Sequence, residues 1–566
     1  MSITLNPGFA LILATLVVLA APARLRVGVM IVAAAAALWL LLFGEFGDGG
    51  MFAQIGLELV PRSVDALNRM FGIAFLIATI LIAIYSGGRR SRYEDAAVML
   101  LAGSVVSALF VGDFLSLVAT LALAGLAGAW LVLVAGAPDS AASGVRLLIW
   151  HGLEGLFLLF GVALRLSTGA ADTTLSRLDA RTLDGAFFFA AVLIRIGAPF
   201  AHVWLKDAVS HASSVGSVAL SAFPAVLGVY VLARLFPAEP TLLWIGAAMM
   251  AIGGGYALAK DDLRRACAYA QTAQLGVCVA LIGFGAPLAL TGAAAHAFTV
   301  MLGATLTQMA AGAIAGRLGA VRLSNIEGVA RAMPVSAPMM AVGGLSLAGA
   351  PWLAGFASYA VALQPFAQWE TRWIWLGVSL LAPALLIALV LRPMLEAYRN
   401  AGRRRAMMEA SFPNLLAMIL AAFFCLAIGL SPEWLYLLTP ATLLNFDPFL
   451  PERLGPQLGV LGAGGAIYLM LYAIGLAAKP QARAVHDVDW IYQNPLAGVG
   501  RWAAIVLLRL HGGVRAGAAK FSRGLWTGLA KMVAAWDRPY DGKWFVTAQL
   551  AAISILLLIF LAAVPF

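Results

Sequence analysis

Apolar residues run through this chain in blocks of about 20, the length at which an α-helix crosses the hydrocarbon core of a bilayer. The blocks fall near 7–23, 27–43, 69–87, 95–112, 114–136, 145–166, 186–212, 216–236, 241–259, 266–285, 288–315, 334–364, 372–391, 411–430, 457–478 and 544–565. They predict an all-α polytopic membrane protein with about 16 spans. The first block has no basic stretch before it and no polar chain after it. It is therefore expected to remain as a span, not to be cleaved as a signal peptide.

The turns between the blocks carry an independent signal. Basic residues gather after odd-numbered spans: Arg24 and Arg26; Arg89, Arg90 and Arg92; Lys260, Arg264 and Arg265; Arg317, Arg322 and Arg331; Arg392, Arg399, Arg403, Arg404 and Arg405. Turns after even-numbered spans hold fewer, or balance them, as Arg177 and Arg181 stand beside Asp172, Asp179 and Asp184. Cytoplasmic loops collect Lys and Arg. The odd turns are thus expected in the cytoplasm of a bacterial cell, with the N-terminus on the periplasmic side of its inner membrane. A missed span would have moved the basic turns to the other side partway along.

Two blocks are interrupted. Segment 186–212 contains Gly197-Ala198-Pro199-Phe200, followed by His202, Lys206, Asp207 and His211; segment 334–364 contains Gly349-Ala350-Pro351-Trp352. Proline removes a backbone donor, so each helix is expected to break there. Broken backbone at membrane depth is tolerated only inside protein or beside a watery cavity. A matched pair of such helices points to a transporter built from repeats.

Composition removes the other classes. Hydrophobic residues make up 62% of the 566 and charged ones only 11%, against about 25% in a soluble domain. That is too few charges to coat a water-facing surface, which excludes a soluble globular protein, a disordered chain and a nucleic-acid-binding domain. The net charge of +10 then reports orientation rather than a nucleic-acid partner. Cys267, Cys278 and Cys425 lie in apolar runs without metal-ligand spacing, so neither a disulfide framework nor a metal site is expected. No phosphate loop, dinucleotide glycine pattern, haem ligand spacing or iron–sulfur cysteine set is present. No cofactor, redox centre or catalytic residue of its own is expected.

Residues 479–543 differ in kind, with ten Lys or Arg and four Asp. Within 499–535, Trp502, Ile505, Leu508 and Leu510 alternate at helical spacing with Arg501, Arg509, Arg515, Lys520 and Arg523. An amphipathic helix on the cytoplasmic face of the bilayer is expected, its cations toward anionic headgroups or a partner.

The stretch containing Arg195, Gly197, Pro199, His202, Trp204, Leu205, Asp207, Ala208, Val218, Ala219, Leu220, Gly228, Val229 and Tyr230 resembles the broken seventh helix of the antiporter-like proton-translocating subunits. These subunits occur in respiratory complex I, in Mrp-type sodium/proton antiporters (D-like members among them) and in related membrane hydrogenases. Asp262-Leu263-Arg264-Arg265, Ala268-Tyr269-Ala270, Gln274-Leu275-Gly276, Leu345-Ser346-Leu347-Ala348-Gly349, Pro351 and Gly355-Phe356 are similar to the motifs that follow it in that family. The likeness covers roughly 95–430, and 487–490 looks like the Mrp-like branch.

The resemblance implies a 14-helix core of two inverted repeats with two discontinuous helices, plus a C-terminal amphipathic helix and extra spans. The division expected is 1–94 for the N-terminal spans, 95–236 and 237–392 for the repeats, and 393–478 for the C-terminal spans. The basic segment 479–543 and a final span at 544–566 follow. The resemblance also implies a buried row of charges that passes protons, and here the chain departs from its family. The fifth-helix Glu falls on Ala122, the seventh-helix Lys on Arg195, and the eighth-helix cation near Val226 or Leu220. The eleventh-helix series falls on His296, Val300 and Ala304, and the twelfth-helix position on Tyr359.

Arg stays protonated at any working pH, so Arg195 can hold a counter-ion but shuttles protons poorly. The ion-pathway candidates left are Glu154, Arg195, His202, His296 and Asp207, with His151 beside Glu154. Glu154 is the natural partner of Arg195, since each is expensive alone in lipid. The expectation is a subunit of a multisubunit proton/cation-translocating complex with a modified or impaired proton path. Its partners would be other membrane subunits, protons or monovalent cations, and the lipid bilayer. At most it would be a membrane subunit of an NADH:quinone oxidoreductase-like translocase. A non-conducting scaffold, or the membrane partner of an inorganic-carbon-uptake complex, remain alternatives.

Overall fold

A computed structural model describes residues 6–477, except 45, 49–51, 55, 56, 88–90, 168–172, 320, 321, 368, 400–407, 442 and 444, and then 487, 488 and 490. Residues 1–485 form one compact unit and 486–566 another. In the second, the amide of Trp490 donates to the carbonyl of Asp487 at 2.9 Å. The amphipathic helix expected at 499–535 and the final span lie outside the described residues.

Capping side chains open many of the helices, as helix-end chemistry requires. Asn6 opens α1 (Pro7–Ala20), and α2 (Arg26–Phe43) follows. A connection of two short antiparallel ribbons comes next: β1 (Gly47–Asp48) pairs with β4 (Ser63–Val64), and β2 (Phe52–Gln54) with β3 (Leu57–Leu59). Asp65 and Asn68 form a reciprocal capping box on α3 (Ala66–Ser86). Ser91 caps α4 (Arg92–Phe110) and Asp113 caps α5 (Phe114–Leu133); α6 spans Ser140–Ser167.

The seventh block is two helices, α7 (Leu183–Ile196) and α8 (Val203–His211). The eighth is a kinked rod, α9 (Ser214–Ala222) and α10 (Pro224–Leu235), bent at Phe223 because Pro224 has no N–H to donate. Then come α11 (Thr241–Ala259), α12 (Leu263–Phe284) and the 32-residue α13 (Pro287–Leu318). After the short α14 (Val329–Ala332), another block divides into α15 (Ser336–Leu347) and α16 (Ala354–Leu363). Helices α17 (Arg372–Leu386) and α18 (Arg392–Tyr398) are joined by a π turn at 387–391. Helices α19 (Phe412–Leu430), α20 (Glu433–Tyr436) and α21 (Pro451–Ala473) complete the described chain. Each of the first fifteen apolar blocks holds a helix or helix pair, and among the described residues 12 helical stretches, α9–α10 and α17–α18 each counted as one, are long and apolar enough to cross a membrane.

The two breaks share one backbone design. Gly197 and Gly349 adopt φ of 73° and 69°, and the aromatic residues three positions later, Phe200 and Trp352, also have positive φ. In each, the glycine amide donates three residues back (Gly197 to Ile194, Gly349 to Ser346) and the next alanine five residues back (Ala198 to Leu193, Ala350 to Leu345). This is the helix-closing turn that a left-handed glycine permits, with proline just beyond to prevent continuation. Helix α13 lies at the centre, packed against α9, α12, α15, α16 and α19, and almost all of its residues from Ala289 to Ala315 are buried.

Candidate functional site

At the first break, α5, α6, α7 and α8 bring four polar groups together. Arg195, in the last turn of α7, donates from Nε to Oε1 of Glu154 at 2.7 Å and from Nη2 to the carbonyl of Leu121 at 2.8 Å. The other carboxylate oxygen of Glu154 lies 2.7 Å from Nδ1 of His151, one turn earlier on α6. Trp204 stands edge-on to the His151 ring, centroids 5.0 Å apart, and its indole N–H donates to the carbonyl of Ile194 at 2.8 Å. The sequence therefore places a carboxylate, a guanidinium and an imidazole around the end of α7, all buried. The carboxylate stands between the guanidinium and the imidazole, one oxygen to each.

The other candidates near this break have separate surroundings. His202 is buried, its ring 6.1 Å from that of Tyr269. Asp207 is held by Arg146 in a bidentate pair at 2.8 and 3.0 Å, with Ser143 donating at 3.0 Å; Nδ1 of His211 lies 2.9 Å from the Asp207 carbonyl and 3.2 Å from its carboxylate. This group is partly exposed, and it pins α8 to α6 apart from the Glu154 cluster. Arg264, in the first turn of α12, donates to the carbonyls of Val209, Ser210, Ala212 and Ser213, closing the C-terminal end of α8.

Around the second break, amides, hydroxyls and one imidazole form a hydrogen-bonded cluster. His296 on α13 lies 2.9 Å from Oγ of Ser358 through Nδ1 and 3.1 Å from Oε1 of Gln274 through Nε2. Gln274 donates its amide to the carbonyl of Leu347, and its head group lies against the Tyr359 hydroxyl. Thr299 lies 2.6 Å from Ser358. Gln457 on α21 donates to the carbonyl of Gly349 at 3.0 Å.

A carbonyl only accepts, so the bond to Leu347 fixes the Gln274 amide with Oε1 toward His296. Neutral His296 then carries its proton on Nε2, and Nδ1 faces Ser358 as an acceptor. Among the described residues no group of three or more His, Cys, Asp or Glu is placed to hold a metal ion.

Several of these partners give little signal in the sequence. Arg146 reads as an ordinary charge near a helix start, and buried Lys206 falls outside the ion-pathway candidates. Gln271, Gln274 and Gln457 carry no charge to draw attention in an apolar run. Their one signal is cost: an amide in a spanning helix must find partners.

The profile of the NADH:quinone oxidoreductase/Mrp antiporter transmembrane region matches residues 111–383, which include both breaks. Over these residues the chain is similar to the antiporter-like membrane subunits. It is a multi-pass membrane protein. NADH-quinone oxidoreductase subunit N of Desulforudis audaxviator is 27% identical over 427 residues, covering 67% of this chain and 83% of that relative.

Among solved structures, the Mrp complex from Dietzia sp. has a chain with a TM-score of 0.73 and 20% identity, covering 98% of this chain and 66% of that one. Respiratory complex I from Thermus thermophilus has one with a TM-score of 0.67 and 17% identity, covering 81% and 99%. In this chain the carboxylate facing Arg195 comes from α6, as Glu154.

Proposed function

We propose that this chain is an integral subunit of a multisubunit proton/cation-translocating membrane complex of the Mrp or complex I kind, with a modified proton path. The supporting observation is Glu154 shared between Arg195 and His151 at the end of a broken helix. Arg195 is paired with Glu154, so the proton-carrying role passes to His151. The bacterial relatives and the basic odd turns support an inner-membrane location with the N-terminus periplasmic. The like-built breaks at Gly197 and Gly349 support two repeats, 95–236 and 237–392.

Purified complex in phosphatidylethanolamine/phosphatidylglycerol vesicles, followed with a pH-sensitive dye, tests this reading. Flux should fall by roughly tenfold or more in His151→Gln. Wild-type flux no greater than that of empty vesicles would overturn it.

A non-conducting scaffold is the second reading, favoured by the fixed guanidinium at 195 and by the absence of Lys, Asp or Glu from the second-break cluster built around Gln274, His296, Ser358 and Tyr359.

A further inference from the structure

Away from both breaks, a cavity of about 160 Å³ opens at one end of the bundle, where α3, α9, α13 and α19 come together. Its lining includes Tyr85, Ser214, Gly316, Arg317, Ser411 and Asn414. A water needs roughly 10–15 Å³, so the space admits a group of several heavy atoms. A Cβ at Gly316 would find Ser214 Oγ as its nearest neighbour, at 4.0 Å, so the room begins at the α13 backbone itself.

The wall offers acceptors. Ser214 donates its hydroxyl hydrogen to the carbonyl of Gly312 at 2.8 Å, Tyr85 to the carbonyl of Met309 at 2.8 Å, and Ser411 to Oδ1 of Asn414. A hydroxyl whose hydrogen is committed still accepts through its oxygen. Next to Ser214, Ser213 donates to the buried carboxylate of Glu94, which adds negative charge to the surroundings of the wall. The rim is of the opposite kind. Arg317, at the end of α13, gives one N–H to the carbonyl of Glu409 at 2.7 Å, and its guanidinium has further N–H groups for a second partner. Acceptors within and a guanidinium at the mouth suit a zwitterion that enters ammonium first, with its anionic group behind.

A bilayer supplies such a group. The cavity lies among the ends of α3 and α13 and the start of α19, which adjoin three of the basic turns, and Lys and Arg gather at the level of lipid phosphates. From its mouth, Phe412, Leu416, Ile419 and Phe423 form an exposed apolar ridge along α19, a track for acyl chains that a soluble ligand would not need. We propose that this cavity binds the headgroup of phosphatidylethanolamine, its ammonium among the hydroxyls of Ser214, Ser411 and Tyr85 and its phosphate on Arg317. A choline headgroup has no N–H to give these oxygens. A glycerol headgroup brings no cation, and a serine headgroup would carry a carboxylate toward Glu94.

Two measurements on the intact complex test this. With Cys267, Cys278 and Cys425 replaced by Ala, a Gly316→Cys variant is placed in vesicles of phosphatidylglycerol mixed with either phosphatidylethanolamine or phosphatidylcholine. Reaction of the new thiol with N-ethylmaleimide is followed by mass spectrometry of this chain. Phosphatidylethanolamine should slow it by roughly threefold or more relative to phosphatidylcholine, because an occupied site excludes the reagent. Equal rates would overturn the proposal. Equal protection in pure phosphatidylglycerol would overturn recognition of the ammonium, and equal protection by micromolar soluble phosphoethanolamine in phosphatidylcholine vesicles would replace the lipid with a free ligand. Native mass spectrometry of lipids retained in mild detergent gives the second reading. Gly316→Leu fills the cavity and should retain less phosphatidylethanolamine than wild type, Gly316→Ala should retain as much, and Arg317→Gln should hold it more weakly, all in complex that assembles by size-exclusion chromatography. The same retention in wild type and Gly316→Leu would overturn the site.

Discussion

Arg195 and Glu154 meet across α6 and α7 at 2.7 Å, and neither side chain is more than 2% exposed. An ion pair so enclosed contributes little net stability against an apolar pair, yet removing one member strands the other. Glu154→Gln should therefore lower the stability of the complex by about 3–5 kcal/mol. A Glu154→Gln, Arg195→Met double variant should be more stable than Glu154→Gln alone. Thermal unfolding in detergent, read as a cycle with both single variants, checks this; additive losses would show that the two charges are not coupled.

Trp204 stitches the break at Ile194. Trp204→Phe removes the indole donor and keeps a ring against His151. The Ile194 carbonyl still accepts from the Gly197 amide, so the loss should be modest, about 0.5–1.5 kcal/mol, seen as a small fall in melting temperature.

The two glycines that close the broken helices should differ in tolerance. Both have positive φ, which costs an L-residue about 1–2 kcal/mol. At Gly197 an added Cβ meets its nearest atom, in His202, at 3.4 Å; at Gly349 it would lie 2.8 Å from the Tyr359 ring and 3.0 Å from the Gln457 amide. Gly349→Ala should therefore destabilise the complex more than Gly197→Ala, and melting temperatures measured side by side give the order.

Asp207 and Arg146 should respond to salt where the buried pair does not. Arg146 is 37% exposed and Asp207 17%. Asp207→Asn is expected to cost about 1 kcal/mol or less, with the difference from wild type shrinking as ionic strength rises.

The spans were legible because a bilayer demands long apolar runs, and both breaks because Gly-Ala-Pro cannot continue a helix. The pairing of Glu154 with Arg195 followed from the cost of stranding either in lipid. The role of Tyr359 did not. Read as a lost charge, it packs its hydroxyl against Gln274. The neutral cluster around it was equally hidden, since amides and hydroxyls acquire meaning only from the neighbours the fold gives them. Arg146 was hidden for a different reason: its partner lies 61 residues away, a separation at which spacing says nothing.

The grip of Arg264 on the end of α8 has a mechanical consequence. A single guanidinium rooted in α12 holds four carbonyls of the chain just before α9. If α12 tilts, α8 must travel with it or forfeit those donors together. The clasp thus makes a rigid lever of two elements, so that movement begun in α8 arrives in α12.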